Sequence, residues 1–378
     1  MRKIQLSGVV LAVTGFLLLG GCGGGTSNTP APNNPPAGPT ALMDMTSGAT
    51  YLGFGGGLYE NSSDAVPSDH DLAGKQMLAQ VQPLDANGNP SPSGKVVFLG
   101  MGMSHVYYEF GDFVSKIQND SRVNHTTMLA INGGQLGKTA CFWTVTTGVP
   151  SCDPPDPDPP CTVSSRNAYD IVRDCFLTPA GVTEKQVQVA WLKQADKEPA
   201  VNGLRPLCNS TDANCVDDDG TDAIHYERLL GEILRAAKIR YPNLKQVFIS
   251  SRSYGGYATI PLNPEPFAYE NGFAVKWLVQ AQINQARGMG VDAVAGDLDY
   301  AGGTVPWVAW GPYLWADGPH PRSDGLIWCN GQPDPPCNGE EDFRLDDHTH
   351  PSPEGEAKVT KLLLDYLLNS PYSTWFRP

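Results

Sequence analysis

The chain has 378 residues, and its 40 acidic side chains outnumber its 26 basic ones, so its formal net charge is −14 at pH 7. Proteins that bind nucleic-acid backbones need a basic face to neutralise phosphates, so this composition argues against that class. The length is more than one core usually needs, although a single α/β domain with long insertions can reach it.

Residues 1–21 have the pattern of a signal peptide. Met1 to Lys3 is basic, and the apolar run from Val9 to Leu19 is too short for a comfortable membrane-spanning helix. Leu19-Gly20-Gly21-Cys22 resembles the lipoprotein box, in which the cysteine is lipidated and becomes the mature N-terminus. An uncleaved anchor is the alternative, and either places the protein on a membrane surface outside the cytoplasm, at the periplasmic side or the cell surface.

Residues 22–40 are then expected to form a lipidated cysteine and a tether. From Gly23 onward this stretch contains no large apolar residue, so it cannot bury enough surface to fold. Residues 41–378 are predicted to form one elaborated domain. Neither the oligomeric state nor the choice between inner and outer membrane leaves a trace in the sequence.

Five apolar runs predict buried parallel strands: Lys95–Met101, Thr126–Ile131, Val187–Leu192, Lys245–Ser250 and Val305–Trp310. Between and after them lie helical patterns, namely Val106–Ile117, Ile224–Arg240, Phe267–Arg287 and Val359–Leu367. Strands that alternate with helices predict an α/β protein with a parallel sheet covered on both faces. The active site of such a sheet lies beyond the carboxyl ends of its strands.

Eight cysteines remain when Cys22 is set aside, an even number that favours disulfides in an exported protein. Local pairs such as Cys208 with Cys215 and Cys329 with Cys337 are the most plausible, while the full connectivity stays open. They would staple surface insertions near residues 141–175 and 205–222. A zinc site is disfavoured because none of the spacings is Cys-x-x-Cys.

Two loops carry candidate catalytic residues. Ser104, in Gly102-Met103-Ser104, leaves a predicted strand and opens a predicted helix, where a serine can be a nucleophile or simply a helix N-cap. His350 comes just before the last helix, which Ser352 and Pro353 are expected to start, and Asp347 precedes it by three residues. That spacing lets a carboxylate hold the imidazole tautomer while the other ring nitrogen faces the serine.

These residues resemble the SGNH, or GDSL-like, hydrolase superfamily, in which an Asp-x-x-His-Pro block supplies acid and base. Asp347 to Pro351 matches that block, and Gly102 to Ser104 matches the nucleophile block with Met103 in place of aspartate. The resemblance implies a three-layer α/β/α fold with a flavodoxin-like five-stranded parallel sheet. It also implies cofactor-free and metal-free ester hydrolysis through an acyl-serine, often on acetylated carbohydrate.

The family binds the oxyanion with the nucleophile amide, a glycine amide and an asparagine side chain. Here Ser104 and Gly134 fit the first two positions, but the third block reads Trp191-Leu192-Lys193-Gln194-Ala195-Asp196. An ionised aspartate has no proton to donate, so Gln194 is the preferred substitute and Lys193 the second choice. Arg252, Trp310 and Tyr313 follow or end later strands and could bind a polar or sugar substrate, although an ion pair and core packing are alternatives.

Two rival functions remain open. A metal hydrolase could use side chains of the ligand-rich segment Asp346 to His350, but the other histidines show no ligand spacing. A tethered acidic domain could also hold glycan at the cell surface without catalysis. The main prediction is a serine esterase whose partners are a small-molecule or glycan ester and, through Cys22, the membrane.

Overall fold

The structure, a computed structural model, describes residues 38–148, 150, 166–212 and 220–378. The predicted signal peptide, Cys22 and nearly all of the tether lie outside these ranges, as do Cys215 and the proline-rich part of the first insertion. Within the described residues, no helix has the length and apolar character that crossing a membrane requires.

The chain alternates strands and helices. The strands are β1 (Thr50–Tyr51), β2 (Phe54–Gly55), β3 (Val96–Gly102), β4 (Met128–Asn132), β5 (Val187–Lys193), β6 (Gln246–Ile249) and β7 (Trp307–Trp310). The helices are α1 (Ser68–Leu78), α2 (Ser104–Ile117), α3 (Ala168–Ile171), α4 (Asp222–Arg240), α5 (Phe267–Ala286) and α6 (Pro353–Asn369), and a π-helical stretch, Val172–Leu177, continues α3.

The five longer strands form one sheet in the order β4-β3-β5-β6-β7, and every neighbouring pair is parallel. This confirms the predicted α/β fold, a five-stranded parallel sheet flanked by helices with the flavodoxin-like strand order. Every residue of β3 and β5 is buried. Their near-continuous apolar sequences follow from this, because helices cover the sheet on both faces.

Alternate side chains of each strand enter two separate cores. Leu99 of β3 packs in the core that includes α4 and α5, and Phe98 points to the other, which includes α2 and α6. β1 and β2 form a separate antiparallel hairpin before α1. The sequence analysis predicted neither this hairpin nor α1.

The predicted helix start and one predicted disulfide are both present. The Ser352 hydroxyl accepts hydrogen bonds from the amides of Glu354 and Gly355, at 3.1 and 3.2 Å, and Pro353 occupies the first turn. Cys329 is bonded to Cys337. Cys208 is also disulfide-bonded, but its predicted partner Cys215 lies outside the described residues.

Candidate active site

Ser104 stands at the first position of α2, directly after the carboxyl end of β3. The turn needs Gly102, because a Cβ added there would lie 2.2 Å from the Lys193 carbonyl oxygen on the neighbouring strand β5. Met103, not Ser104, is the N-cap residue of α2. The Ser104 hydroxyl therefore does not serve the N-cap role that was the simpler alternative.

The serine hydroxyl meets a histidine from the other end of the chain. The distance from Ser104 Oγ to His350 Nε2 is 2.8 Å, across 246 residues of sequence. The second ring nitrogen of His350, Nδ1, is hydrogen-bonded to Asp347 Oδ2. The structure thus brings Ser104, His350 and Asp347 together as a hydrogen-bonded chain, the arrangement in which a serine can pass its proton to an imidazole.

The Asp347 carboxylate is held by several donors. Its Oδ1 accepts hydrogen bonds from the backbone amides of Thr349 and His350, at 2.8 and 2.9 Å. Burial alone would raise the pKa of this carboxyl, but the hydrogen bonds from the His350 ring and these two amides outweigh burial and lower it to about 2. Asp347 is therefore ionised at neutral pH and fixes the His350 ring in one orientation.

The loop that carries His350 is fastened at both sides. The His350 carbonyl accepts a hydrogen bond from the Arg344 amide at 2.9 Å, and the Thr259 amide donates to the Asp347 carbonyl at 3.1 Å. His105 is fully buried, with its Nε2 2.9 Å from the Thr349 carbonyl oxygen and its ring stacked on His350 at 5.3 Å between centroids. This histidine therefore links helix α2 to the loop that carries His350.

Sequence reasoning did not identify His105 as part of the site, nor Tyr108. The Tyr108 ring lies edge-on to His350, at 5.9 Å between centroids. The Arg344 guanidinium lies over the same Tyr108 ring, 3.9 Å from its centroid. The available signal was the helical spacing, since His105 directly follows Ser104 and Tyr108 lies about one turn further along α2.

The two predicted oxyanion donors other than Ser104 already have hydrogen-bond partners. The Gly134 amide donates to Asn132 Oδ1 at 3.0 Å. Gln194 is fully buried, and its Nε2 donates to the Lys138 carbonyl at 3.2 Å. The Ser104 amide, by contrast, belongs to the first turn of α2, where backbone N–H groups have no partner within the helix.

The other two polar residues of the third block are also engaged. Lys193 Nζ lies 2.6 and 2.8 Å from the two carboxylate oxygens of Glu109, and both side chains are buried. Burial lowers the pKa of Lys193 to about 8 despite the nearby carboxylate. Asp196 Oδ2 is 2.7 Å from His225 Nδ1, so the Asp196 carboxylate faces a histidine on α4.

Arg252 follows β6 and is only 2% exposed. Its Nε donates to Asn263 Oδ1 at 3.1 Å, while its buried Nη1 has no hydrogen-bond partner. Burial lowers the pKa of this guanidinium to about 10, although the charges of Glu109 and Asp347 partly offset that effect. The ion pair that was the alternative for Arg252 is not formed with any described residue.

Trp310 and Tyr313 occupy the core rather than an exposed rim, with 3% and 4% of their surfaces exposed. Trp310 Nε1 donates to the Leu58 carbonyl at 2.7 Å, and the Tyr313 hydroxyl accepts from the Leu42 amide at 3.2 Å. Both rings are covered by the N-terminal segment of the domain. This burial favours core packing, the alternative role of these two residues, over an open face for a sugar.

The ligand-rich segment Asp346 to His350 does not gather its side chains around one point. His348 turns away from the triad, with its Nδ1 2.6 Å from Asn330 Oδ1. Among the described residues, one group has metal-ligand spacing, formed by Cys329, Glu340 and Asp342. The sulfur of Cys329 is already bonded to Cys337, so this group does not form a thiolate site.

The sequence matches no protein-family model and no curated protein. Among solved structures it is similar to a gut microbial diltiazem-metabolizing enzyme, with 12% identity and a TM-score of 0.33 over 76% of this chain and 48% of that one. It is similar to YxiM of Bacillus subtilis, with 13% identity and a TM-score of 0.33 over 74% and 57%.

An extracellular lipase of Streptomyces rimosus matches with 10% identity and a TM-score of 0.27, over 72% of this chain and 99% of the lipase. The chain thus spans about half the length of the first two proteins. All three TM-scores are low, so these similarities carry no information on the chemistry of this chain.

Proposed function

We propose that this chain is a serine hydrolase of carboxylic esters and a divergent member of the SGNH, or GDSL-like, superfamily. The observation that supports this most is the hydrogen-bonded chain from Ser104 through His350 to Asp347, with 2.8 Å between the hydroxyl oxygen and the ring nitrogen. A serine hydroxyl is a weak nucleophile by itself, and this arrangement supplies the base that activates it.

In the proposed reaction, Ser104 Oγ attacks the acyl carbonyl carbon as His350 Nε2 removes the hydroxyl proton. The resulting imidazolium is stabilised by the ionised Asp347 and returns the proton to the departing alcohol. Water then attacks the acyl-serine by the same route and releases the acid. The Ser104 amide is the first oxyanion donor, favoured by the N-terminus of the 14-residue helix α2.

The remaining oxyanion donors of the proposal are the Gly134 amide and the Gln194 carboxamide. Gln194 Nε2 has two N–H groups. One donates to the Lys138 carbonyl, and the other is available for the oxyanion. Gly134 has a single amide proton, and it would have to share that proton between Asn132 and the oxyanion. Ser104 and Gln194 are accordingly the donors on which the proposal relies most.

The direct test is hydrolysis of 4-nitrophenyl acetate by the purified full-length protein and its Ser104→Ala variant. We expect turnover in the wild type and its loss in the variant. Ser93→Ala, at an exposed loop serine, is the matched control and should keep full activity. Equal activity of Ser104→Ala and wild type would discard the proposed nucleophile, and an inactive wild type would favour the non-catalytic glycan-binding alternative.

For the substrate, we propose an O-acetyl group on a carbohydrate. Tyr107, which directly precedes Tyr108 on α2, is 41% exposed and offers a ring on which a sugar could stack three residues from the nucleophile. Arg252 remains a candidate for holding a polar substrate group. Acetate release from acetylated xylan should fall more in Tyr107→Ala than hydrolysis of 4-nitrophenyl acetate does, and equal losses on both esters would count against sugar recognition.

We also propose that the protein is exported and anchored to the cell envelope through a lipid on Cys22. Radiolabelled palmitate should be incorporated into the wild-type protein in cells and not into Cys22→Ser. Cys208→Ser, at a cysteine engaged in a disulfide, is the control for a general effect of removing a thiol. Labelling that persists in Cys22→Ser would overturn the proposed anchor.

A further inference from the structure

A cavity of about 300 Å³ opens between α4, α5 and the chain that follows α5. The cavity does not include Ser104, His350 or Asp347. Nine described residues line it: Phe54, Ile224, Glu227, Trp277, Gln280, Ala281, Asn284, Asp292 and Val294. This volume lies at the lower end of the range of small-molecule pockets, which is about 300–1,000 Å³. The site is therefore large enough for a ligand of a few carbon atoms.

The polar part of the wall carries oxygen acceptors. Glu227 is 5% exposed, yet its carboxyl has no hydrogen-bond or ion-pair partner among the described residues. Gln280 Nε2 donates hydrogen bonds to Glu60 Oε2 and Asn284 Oδ1. The buried Oε1 of Gln280 has no hydrogen-bond partner among the described residues. Asp292 uses only Oδ1, which accepts from the amides of Val294 and Ala295.

Among the described residues that line the cavity, none is a lysine, arginine or histidine that could face these unused acceptors. The charged groups that act on Glu227 are Asp292, which repels its ionised form, and Arg228 on its own helix, which favours it. Burial is the largest influence and raises the pKa of Glu227 to about 8. A cation in the cavity would pair with the Glu227 carboxylate and offset both the cost of burying its charge and the repulsion from Asp292.

The rest of the wall is apolar and aromatic. The rings of Phe54 and Trp277 meet at 5.3 Å between centroids, and Ile224, Ala281 and Val294 complete this side. Aromatic rings attract cations through their faces and pack hydrocarbon chains equally well. The wall therefore suits a ligand with a charged end and a short hydrocarbon part.

We propose that this cavity binds a small primary amine in its ammonium form. The three N–H groups of the ammonium donate hydrogen bonds to the carboxylates of Glu227 and Asp292 and to Gln280 Oε1. The hydrocarbon part lies against Trp277 and Phe54. An ammonium group has three donors and no acceptor, which matches the three unused acceptors. The site is separate from the triad and does not depend on the proposed ester hydrolysis.

Calorimetric titration of the full-length protein with n-butylammonium, from pH 6 to pH 9, tests the proposal. Binding requires ionised Glu227, so the association constant should rise by about tenfold per pH unit up to pH 8 and then level off. The ligand itself stays charged throughout, because alkylammonium groups titrate near pH 10.4, about as lysine does. Butan-1-ol, which lacks the charge, should bind more weakly and without this pH dependence.

The variants locate the site. Glu227→Gln should weaken n-butylammonium binding by at least about tenfold at pH 9 and abolish its pH dependence. Glu232→Gln, at a partly exposed position on the same helix outside the cavity, is the matched control and should bind as the wild type does. Ala281→Leu keeps every charge but fills part of the cavity, so it should block binding as well.

Three results would overturn the proposal: no binding to the wild type at pH 9, wild-type affinity in Glu227→Gln, or equal affinity for butan-1-ol. The amide of Glu227→Gln replaces a carboxyl that is protonated below pH 8, so this variant should fold normally. Its melting temperature at pH 6, compared with that of the wild type, checks that any loss of binding is local.

Discussion

Ser104, His350 and Asp347 are expected to differ in how much activity each controls. Removing Ser104 or His350 breaks proton transfer itself, so each alanine variant should lose on the order of a million-fold in kcat. Asp347→Asn leaves the backbone contacts of the loop in place and should lose less, on the order of ten thousand-fold. Steady-state kinetics on 4-nitrophenyl acetate measure these losses, and a larger loss for Asp347→Asn than for His350→Ala would contradict the assigned roles.

The carboxyl of Asp347 should also stabilise the fold in a pH-dependent way. Its folded pKa of about 2 lies below the ordinary 3.8, so its contribution is present above pH 3.8 and is lost as the pH falls towards 2. This shift corresponds to about 2 kcal/mol at pH 7. Urea unfolding of Asp347→Asn and wild type should differ by that amount at pH 7 and converge near pH 2.

Asp346→Asn is the matched control for this measurement, because Asp346 is the exposed neighbour in the same loop. It should unfold as the wild type does at every pH. A difference between Asp347→Asn and wild type that stays constant down to pH 2 would show that the carboxylate charge is not the cause.

At the level of single residues, the sequence predicted which side chains would meet but not all of their surroundings. Asp347 and His350 are three residues apart, so local backbone geometry alone places them in contact. The partners of Gly134 and Gln194 come from side chains and loops elsewhere, and a single sequence carries no periodic signal for such contacts. Trp310 ends a strand, which predicts a position near the carboxyl edge of the sheet. The N-terminal segment that covers Trp310 gives no signal in the sequence.

At the level of elements, the buried pair Glu109–Lys193 joins helix α2 to strand β5. Removing one partner leaves the other charged group buried without compensation, so Glu109→Gln should cost about 3–5 kcal/mol of unfolding free energy. Replacing both residues with apolar ones, as in Glu109→Leu with Lys193→Met, should cost less than the sum of the single changes.

The exposed pair Lys361–Asp365 on α6 is the control for this cycle. Lys361→Met should change the urea midpoint little, because water already screens both charges. Strict additivity of the Glu109 and Lys193 changes would argue that the pair does not act as a unit.

The turn between β3 and α2 is expected to tolerate no side chain at Gly102. A Cβ there would overlap the Lys193 carbonyl, so Gly102→Ala should destabilise the fold by about 3 kcal/mol and displace Ser104. Gly55→Ala, where the nearest atom would be 3.7 Å away, should be nearly neutral. Urea unfolding measures both, and equal stabilities would contradict the close approach of β3 and β5.

The large elements were predictable because each repeats a simple pattern. All five sheet strands and four of the helices lie within a few residues of their predicted positions, since buried parallel strands are continuously apolar and amphipathic helices carry an apolar stripe. α1 was not predicted, and its buried residues His70, Ala73 and Gly74 show why. They are small or polar, so no apolar stripe marks the face that packs on β7.

For the whole molecule, buried acids should make stability fall as the pH rises from 6.5 to 8. Burial raises the pKa of Glu227 to about 8, so its neutral form stabilises the fold fully below pH 4.5 and this contribution is lost as the pH rises through 8. Below pH 6.5 the buried His70, whose pKa burial lowers to about 4, acts in the opposite direction.

Glu270, whose pKa burial raises to about 7, also titrates between pH 6.5 and 8. We therefore expect the wild type to lose about 2 kcal/mol more than Glu227→Gln across this window. Urea unfolding across this window measures the difference. Identical slopes for the two proteins would place the alkaline sensitivity elsewhere in the chain.

The 246 residues between Ser104 and His350 also bear on when the protein can first react. Synthesis and the proposed export both deliver the hydroxyl 246 residues before the imidazole. Under the proposed mechanism, a chain that is still unfinished has no base for its serine and should not cleave esters.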